Sequence, residues 1–240
     1  MSITLVEHHL KDFIYEERQN GWFDIDMSLY HCQFEKDVYS DIFFNSLGIK
    51  FPVTLEKAVQ KRKAEYLAGR YCAAKSLQGL GMFNVDIGTG QHRNPLWPSN
   101  ILGSITHCGN HAAAITTNQP NVFGIGIDIE DEVSFETMHR IKGQILCAEE
   151  IGIICGDGGD CIPFTLAFSV KESFFKAAYP TVQKYFDFDA ITILDISHLT
   201  RQISFRINRT LNEKLKKDEV LRGTFMVLQD HKVVTLVILD

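Results

Sequence analysis

Helix, strands, helices and strands again, in that order along 240 residues, predict an α+β fold built mainly on antiparallel sheet. Three observations carry this. A long helical stretch, charged early and Ala-rich late, lies near residues 55–81. Short β-branched runs cluster between residues 101 and 130. A second strong helix near 163–180 is followed by four strand-like runs from about residue 190.

Residues 1–50 are mixed and rich in aromatics, with no clear periodicity. Pro52 and Thr54 precede the stretch LEKAVQKRKAEYLAGRYCAAKSLQGLG, which stops at Gly79 and Gly81 as helices often do. QHRNPLWPSN then reads as loop, because Pro95 and Pro98 oppose regular structure. ILGSITH and HAAAITT are strand candidates, and VFGIGIDIE is the clearest strand in the chain. VSFETMHRIKGQILCAEEI predicts a helix with Gly143 as its weak point, and the Gly- and Asp-rich GIICGDGGDC predicts a loop. PFTLAFSVKESFFKAAYP is a helix that Pro180 should end. AITILDI, QISFRI, TFMVLQD and KVVTLVIL are strands, with Asp230 and His231 at a hairpin turn.

Hydrophobic residues make up 45% of the chain, enough for one large domain or two small ones. The net charge of −6 argues against a general nucleic-acid binder, although one local basic pocket remains compatible with it. Six cysteines form no C-x-x-C pair, and the N-terminus, already charged by residue 7, does not read as a secretory signal. Reduced thiols in a cytoplasmic protein are the simplest reading. No apolar run approaches the ~20 residues of a membrane span.

Candidate chemistry sits in four segments. In Gly124-Ile125-Gly126-Ile127-Asp128-Ile129-Glu130 the isoleucines share one strand face and Asp128 and Glu130 the other. The two glycines on the acidic face should leave it sterically open. Carboxylates ~7 Å apart along a strand can converge on one hard cation such as Mg²⁺, which favours oxygen ligands and substrate phosphates. Read alone, the acids also fit a strand end dipping into solvent.

Phe168, Glu172 and Lys176 lie along one helical stripe at i, i+4, i+8. Glu172 offers a third carboxylate, Lys176 a phosphate contact, and Lys171 further positive charge. An ordinary Glu–Lys pair on an amphipathic helix is the plainer explanation of the same residues.

On the first long helix, Arg62 and Arg70 are eight apart, with small Gly69 and Ala73 nearby. Their forked guanidiniums suit phosphate, and a solvated helix face is the alternative. His107, closing Ser104-Ile105-Thr106-His107, can donate to a phosphate from a strand end. A zinc site at His107 and His111 is not supported: no further His/Cys cluster completes a ligand set.

These segments occur together and in this order in one family. RKAEYLAGRYCAAKSL, NPLWPSNILGSITH, GIGIDIE and FSVKESFFKA resemble the Sfp-type 4′-phosphopantetheinyl transferases, most closely the EntD-like branch that serves siderophore synthetases. The likeness spans roughly residues 55–180. It implies two similar α/β subdomains related by a pseudo-twofold, residues 1–118 and 119–240, with coenzyme A in the cleft between them. It implies a cytoplasmic, Mg²⁺-dependent enzyme that moves phosphopantetheine from coenzyme A to a serine of an apo carrier protein.

By the same resemblance Asp128, Glu130 and Glu172 are the metal carboxylates. Lys176 contacts the pyrophosphate with Lys171 adjacent. His107 meets the 3′-phosphate, Arg62 and Arg70 hold the nucleotide end, and Glu172 is the candidate base. Phe168 stands where many relatives have tryptophan, Ser99 and Asn100 where they often have glycine, and Thr106 where serine is frequent. None of these removes a required charge. The same chemistry could serve a polyketide, fatty-acid or polyunsaturated-fatty-acid synthase. A non-catalytic coenzyme A binder should have lost a metal carboxylate, and a phosphohydrolase would not explain the basic helix. For carrier docking, the Gly-rich segment 152–161 and the helix before it are the candidates.

Overall fold

The computed structural model describes residues 9–155 and 160–240. The N-terminal residues 1–8, and residues 156–159 of the Gly-rich segment considered for carrier docking, lie outside the described residues. The chain divides into two compact units, Met1–Gln119 and Pro120–Asp240. Every strand pairing described is antiparallel.

The first unit holds a four-stranded sheet in the order β1-β2-β6-β5: β1 Ile14–Gln19, β2 Ser28–Phe34, β5 Leu102–Cys108 and β6 His111–Thr117. A short helix, α1 (Ile42–Ser46), and a 3₁₀ turn at Val53–Leu55 precede the long helix α2, Gln60–Gly79. Helix α2 therefore starts later than the sequence suggests, because Val59 is extended (ψ 153°) and breaks the run before it. Its apolar face, with Leu67, Cys72 and Leu77, is sealed against one side of the sheet and joins Phe13, Phe34 and Phe43 in the core. The loop read around Pro95 contains a minimal pairing of β3 (Gly88–Thr89) with β4 (Pro95–Leu96). A proline is tolerated there because so short a pairing is all edge.

Strand β2 was not foreseen. Its pattern is almost wholly buried, so the alternation that marks a half-exposed strand is missing. It carries His31, which stacks on Trp22 with ring centroids 4.0 Å apart. The His31 Nε2 is buried with no hydrogen-bond partner. Burial, then the charge of Arg18, pulls its pKa down from 6.5 to about 4, so the ring is neutral.

The second unit holds a five-stranded sheet in the order β7-β11-β10-β9-β8. The strands are β7 Gly124–Asp131, β8 Ile191–Ser197, β9 Gln202–Ile207, β10 Val220–Val227 and β11 Lys232–Leu239. The helix expected across Gly143 is two helices: α3 (Phe135–Ile145), capped by the Ser134 hydroxyl accepting from the Thr137 N–H, and α4 (Ala148–Ile154). The break falls at Leu146 and Cys147, which are extended, and not at Gly143. Helix α5 (Ile162–Val182) runs through Pro180 and stops at Gln183 in the left-handed region (φ 53°). Phe164 and Phe174 of α5 are fully buried, as is Phe205 of β9, with the Phe174 and Phe205 rings 5.4 Å apart. Burying each such ring contributes roughly 1.5–3 kcal/mol. Among the described residues no helix is long and apolar enough to cross a membrane.

Candidate active site

Strand β7 lies at one end of the five-stranded sheet and pairs with β11 so that Asp128 faces Thr235 and Glu130 faces Val233. Asp128 and Glu130 therefore share a face, as their spacing requires, while Ile125, Ile127 and Ile129 are buried on the other. The acidic face is not open. A Cβ on Gly126 would sit 1.9 Å from the Ser173 carbonyl oxygen, and one on Gly124 would sit 2.3 Å from that of Ala177. The glycines admit α5 backbone-to-strand, which corrects the expectation of free space. Small residues on the helix side, Ser169, Ser173 and Ala177 at i, i+4, i+8, complete the close fit.

This contact sets the charges against one another. Asp128 is buried, at 3% exposure, and its Oδ1 accepts from the Lys176 ammonium at 2.6 Å. The same ammonium donates to the Ile127 carbonyl at 3.2 Å. The Asp128 Oδ2 accepts from the Ser169 hydroxyl at 2.8 Å. Behind it, Thr235 Oγ1 lies 2.9 Å from Ser169 Oγ and 2.8 Å from Ser173 Oγ.

Glu172, half-buried one turn before Lys176, has its pKa raised, first by burial and then by the negative charge of Asp128; Lys176 pulls the other way. Asp128, Glu172 and Lys176 thus form one electrostatic group, and Glu130 lies two residues further along the same strand face. Among the described residues no three His, Cys, Asp or Glu side chains are drawn close enough together to hold a metal on their own. An oxygen-only donor set with substrate phosphates as remaining ligands is nevertheless what Mg²⁺ uses, since it seldom takes an all-protein cage.

Lys171 does not join this group. Its ammonium is buried and held by Glu150 at 2.8 Å and by the carbonyls of Ile145, at 2.8 Å, and Phe188, at 3.2 Å. Burial pulls its pKa down and the Glu150 carboxylate pulls it back up, the first effect being larger. Glu150 also accepts from the backbone N–H groups of Cys147 and Ile193, so the pair ties α4 to β8 and α5. The phosphate contact expected of Lys171 thus has no free ammonium to make it.

Glu172 lines a groove with Phe175, Tyr185, Phe186 and Phe188, in which the Phe175 and Phe186 rings lie 5.0 Å apart. The sequence reading missed this groove, along with Ser169, Thr235 and Glu150. Small hydroxyl residues facing a Gly-x-Gly strand were the available signal for the first two.

In the first unit, α2 and β5 bring Arg62 and His107 together, Arg62 Nη1 lying 3.1 Å from His107 Nε2. Gly69 permits this close packing, because a Cβ there would meet Ile105 of β5 at 3.0 Å. Arg70 is buried, stacks on Tyr66 and donates to Thr89 Oγ1 at 2.9 Å and to the Gly88 carbonyl at 3.1 Å. Its Nε has no partner. Arg62 and His107 are therefore a joined basic pair, and Arg70 is a neighbour on α2 anchored to the β3 strand.

Residues 51–117 match the 4′-phosphopantetheinyl transferase N-terminal domain, and residues 124–233 match the 4′-phosphopantetheinyl transferase superfamily. Enterobactin synthase component D of Salmonella typhimurium is 35% identical over 188 residues, 76% of this chain and 74% of the relative. The protein of the same name from Escherichia coli K12 is 41% identical over 125 residues, 52% of this chain and 58% of the relative. 4′-Phosphopantetheinyl transferase Npt of Nocardia iowensis is 29% identical over 149 residues, 62% of this chain and 64% of the relative.

Proposed function

Because the chain belongs to the 4′-phosphopantetheinyl transferase superfamily, we propose that it converts an apo carrier protein of siderophore or nonribosomal peptide synthesis to its holo form. Coenzyme A is the donor. The carrier serine hydroxyl attacks the β-phosphorus, the bond from that phosphorus to the bridging oxygen breaks, and adenosine 3′,5′-bisphosphate leaves. The observation that carries this reading at the site is the Asp128–Lys176 contact with Glu172 in its field. It gathers two carboxylates and one cation, the kinds of charge that orienting a diphosphate calls for.

Each side chain then has a task. Asp128, Glu130 and Glu172 would hold Mg²⁺. When bound, the ion supplies neutralisation of the charge that builds on the leaving diphosphate. Lys176 turns from Asp128 to the pyrophosphate, a short movement for a flexible four-carbon stem. Glu172 takes the serine proton, directly or through one water. Arg62 and His107 receive the 3′-phosphate, and Arg70 lines the nucleotide end beside them. Lys171 serves the scaffold through Glu150 and touches no phosphate.

The test is to incubate the protein with coenzyme A, Mg²⁺ and an apo carrier domain from a siderophore synthetase, then weigh the carrier. The expected result is the mass of one phosphopantetheine group on the carrier serine, absent when the reaction is run in chelator and restored when excess Mg²⁺ is added. Carriers from a fatty-acid synthase, run in parallel, should be modified more slowly. Absence of the added mass on every carrier would refute the activity. Full activity in chelator would refute the metal assignment alone.

A further inference from the structure

We propose that Ser173, Thr235 and Ser169 form a one-way relay of hydroxyl protons that aims the Asp128 carboxylate at its cation. The inference rests on the reading of Asp128 as a metal ligand, and it makes the three hydroxyls positioning residues.

The direction of the relay follows from counting protons. An ionised carboxylate only accepts, so Ser169 must spend its single hydroxyl proton on Asp128 Oδ2, 2.8 Å away. Ser169 can then only accept from Thr235, whose Oγ1 is 2.9 Å distant. Thr235 has now spent its own proton, so Ser173, 2.8 Å away, is the donor in the last contact. Ser173 also donates to the Thr235 carbonyl at 3.0 Å, so its one proton is shared between two acceptors of the same residue. The protons of Ser169 and Thr235 therefore point towards Asp128, and Ser173 backs the chain from behind Thr235.

Burial makes this arrangement meaningful. Ser169, Ser173 and Thr235 have no exposed surface, so water does not substitute as donor. Burying a hydroxyl is costly unless it is bonded, and alanine or valine would pack the same interface without that penalty. Chains of hydrogen bonds polarise one another, so the terminal bond to Asp128 is stronger than an isolated serine would make. The fold supplies the alignment. Thr235 is the cross-strand partner of Asp128, and Ser169 and Ser173 are one turn apart on α5 where Gly126 lets the helix touch the strand. With Oδ2 held from behind, Oδ1 is presented towards Lys176. Hydrogen-bond partners of this kind typically change metal affinity by ~10–100-fold when removed.

The experiment measures Mn²⁺ retained by the protein with coenzyme A and no carrier, from the loss of the free-ion paramagnetic resonance signal, so that no turnover enters. Ser169→Ala should bind Mn²⁺ about tenfold more weakly. Thr235→Val, which keeps the shape and removes the hydroxyl, should bind several-fold more weakly, and Thr235→Ser should match the unmodified protein. Melting temperatures, measured without metal, identify any variant that fails to fold; Thr235→Val and Thr235→Ser then decide the matter between them. If Asp128→Ala loses Mn²⁺ while Ser169→Ala and Thr235→Val bind as tightly as the unmodified protein, the hydroxyls are packing alone and the relay is wrong. If Asp128→Ala also binds normally, the metal assignment of Asp128 falls, and the relay falls with it.

Discussion

Replacing Gly126 by alanine should damage catalysis without touching a charged group. The added Cβ would lie 1.9 Å from the Ser173 carbonyl oxygen and 2.7 Å from the Ala177 nitrogen, both backbone atoms that cannot swing aside. Ordinary contact begins near 3.4 Å, so α5 must retreat by roughly 1.5 Å or β7 must bend away. Overpacking of this kind costs about 1–3 kcal/mol. The Lys176–Asp128 contact of 2.6 Å and the Ser169–Asp128 bond of 2.8 Å both cross the displaced surface and should open. A misplacement near 1 Å can cost on the order of 100-fold in rate. The assay is initial rate of carrier modification by mass spectrometry, paired with thermal unfolding. Gly143→Ala is the control: its Cβ enters open space within α3 and should stabilise by ~0.5–1 kcal/mol with activity unchanged. A Gly126→Ala protein that melts and turns over like the parent would show that the helix does not need the strand so close.

Lys171→Met leaves Glu150 buried with its ammonium partner removed, which should cost about 3–5 kcal/mol and lower the melting temperature by on the order of 10 °C. The double change with Glu150→Gln should recover much of that loss; a single variant as stable as the parent would contradict the structural role. His31 predicts an acid weakness. Its folded pKa, about 4, is below the unfolded 6.5, so its contribution is complete above pH 6.5 and disappears as pH falls towards 4. The loss is on the order of 3 kcal/mol, and His31→Phe should flatten denaturant midpoints between those pH values. An unchanged pH profile in that variant would assign the acid sensitivity elsewhere.

The parts of the fold that could be read from the chain were those with a strong local period or a β-branched run. HAAAITT emerged as β6 and GIGIDIE within β7 because β-branched residues or strict alternation mark a strand. Strand β2 was hidden because burial on both faces erases the period, and the split between α3 and α4 was hidden because Leu146 and Cys147 carry no breaker signal. At the candidate site, spacing and resemblance singled out Asp128, Glu172 and Lys176, and the fold brings them into one electrostatic group. Lys171 was misjudged for a tertiary reason: its partner Glu150 is distant in sequence and on another helix, and only folding brings them together. The glycines of β7 were judged as space when they are contact, since a missing side chain looks the same in both cases.

The buried Lys171–Glu150 pair also fixes the angular phase of α5. Successive helical residues point about 100° apart, so an anchor at one position dictates the bearing of the next. With Lys171 clamped towards α4 and β8, Glu172 cannot roll away from Asp128 without dragging an ammonium out of its cage of oxygens. Two adjacent lettered positions thus divide the labour of one helical turn, the first acting as a key in its slot and the second as the working edge that the key keeps aligned.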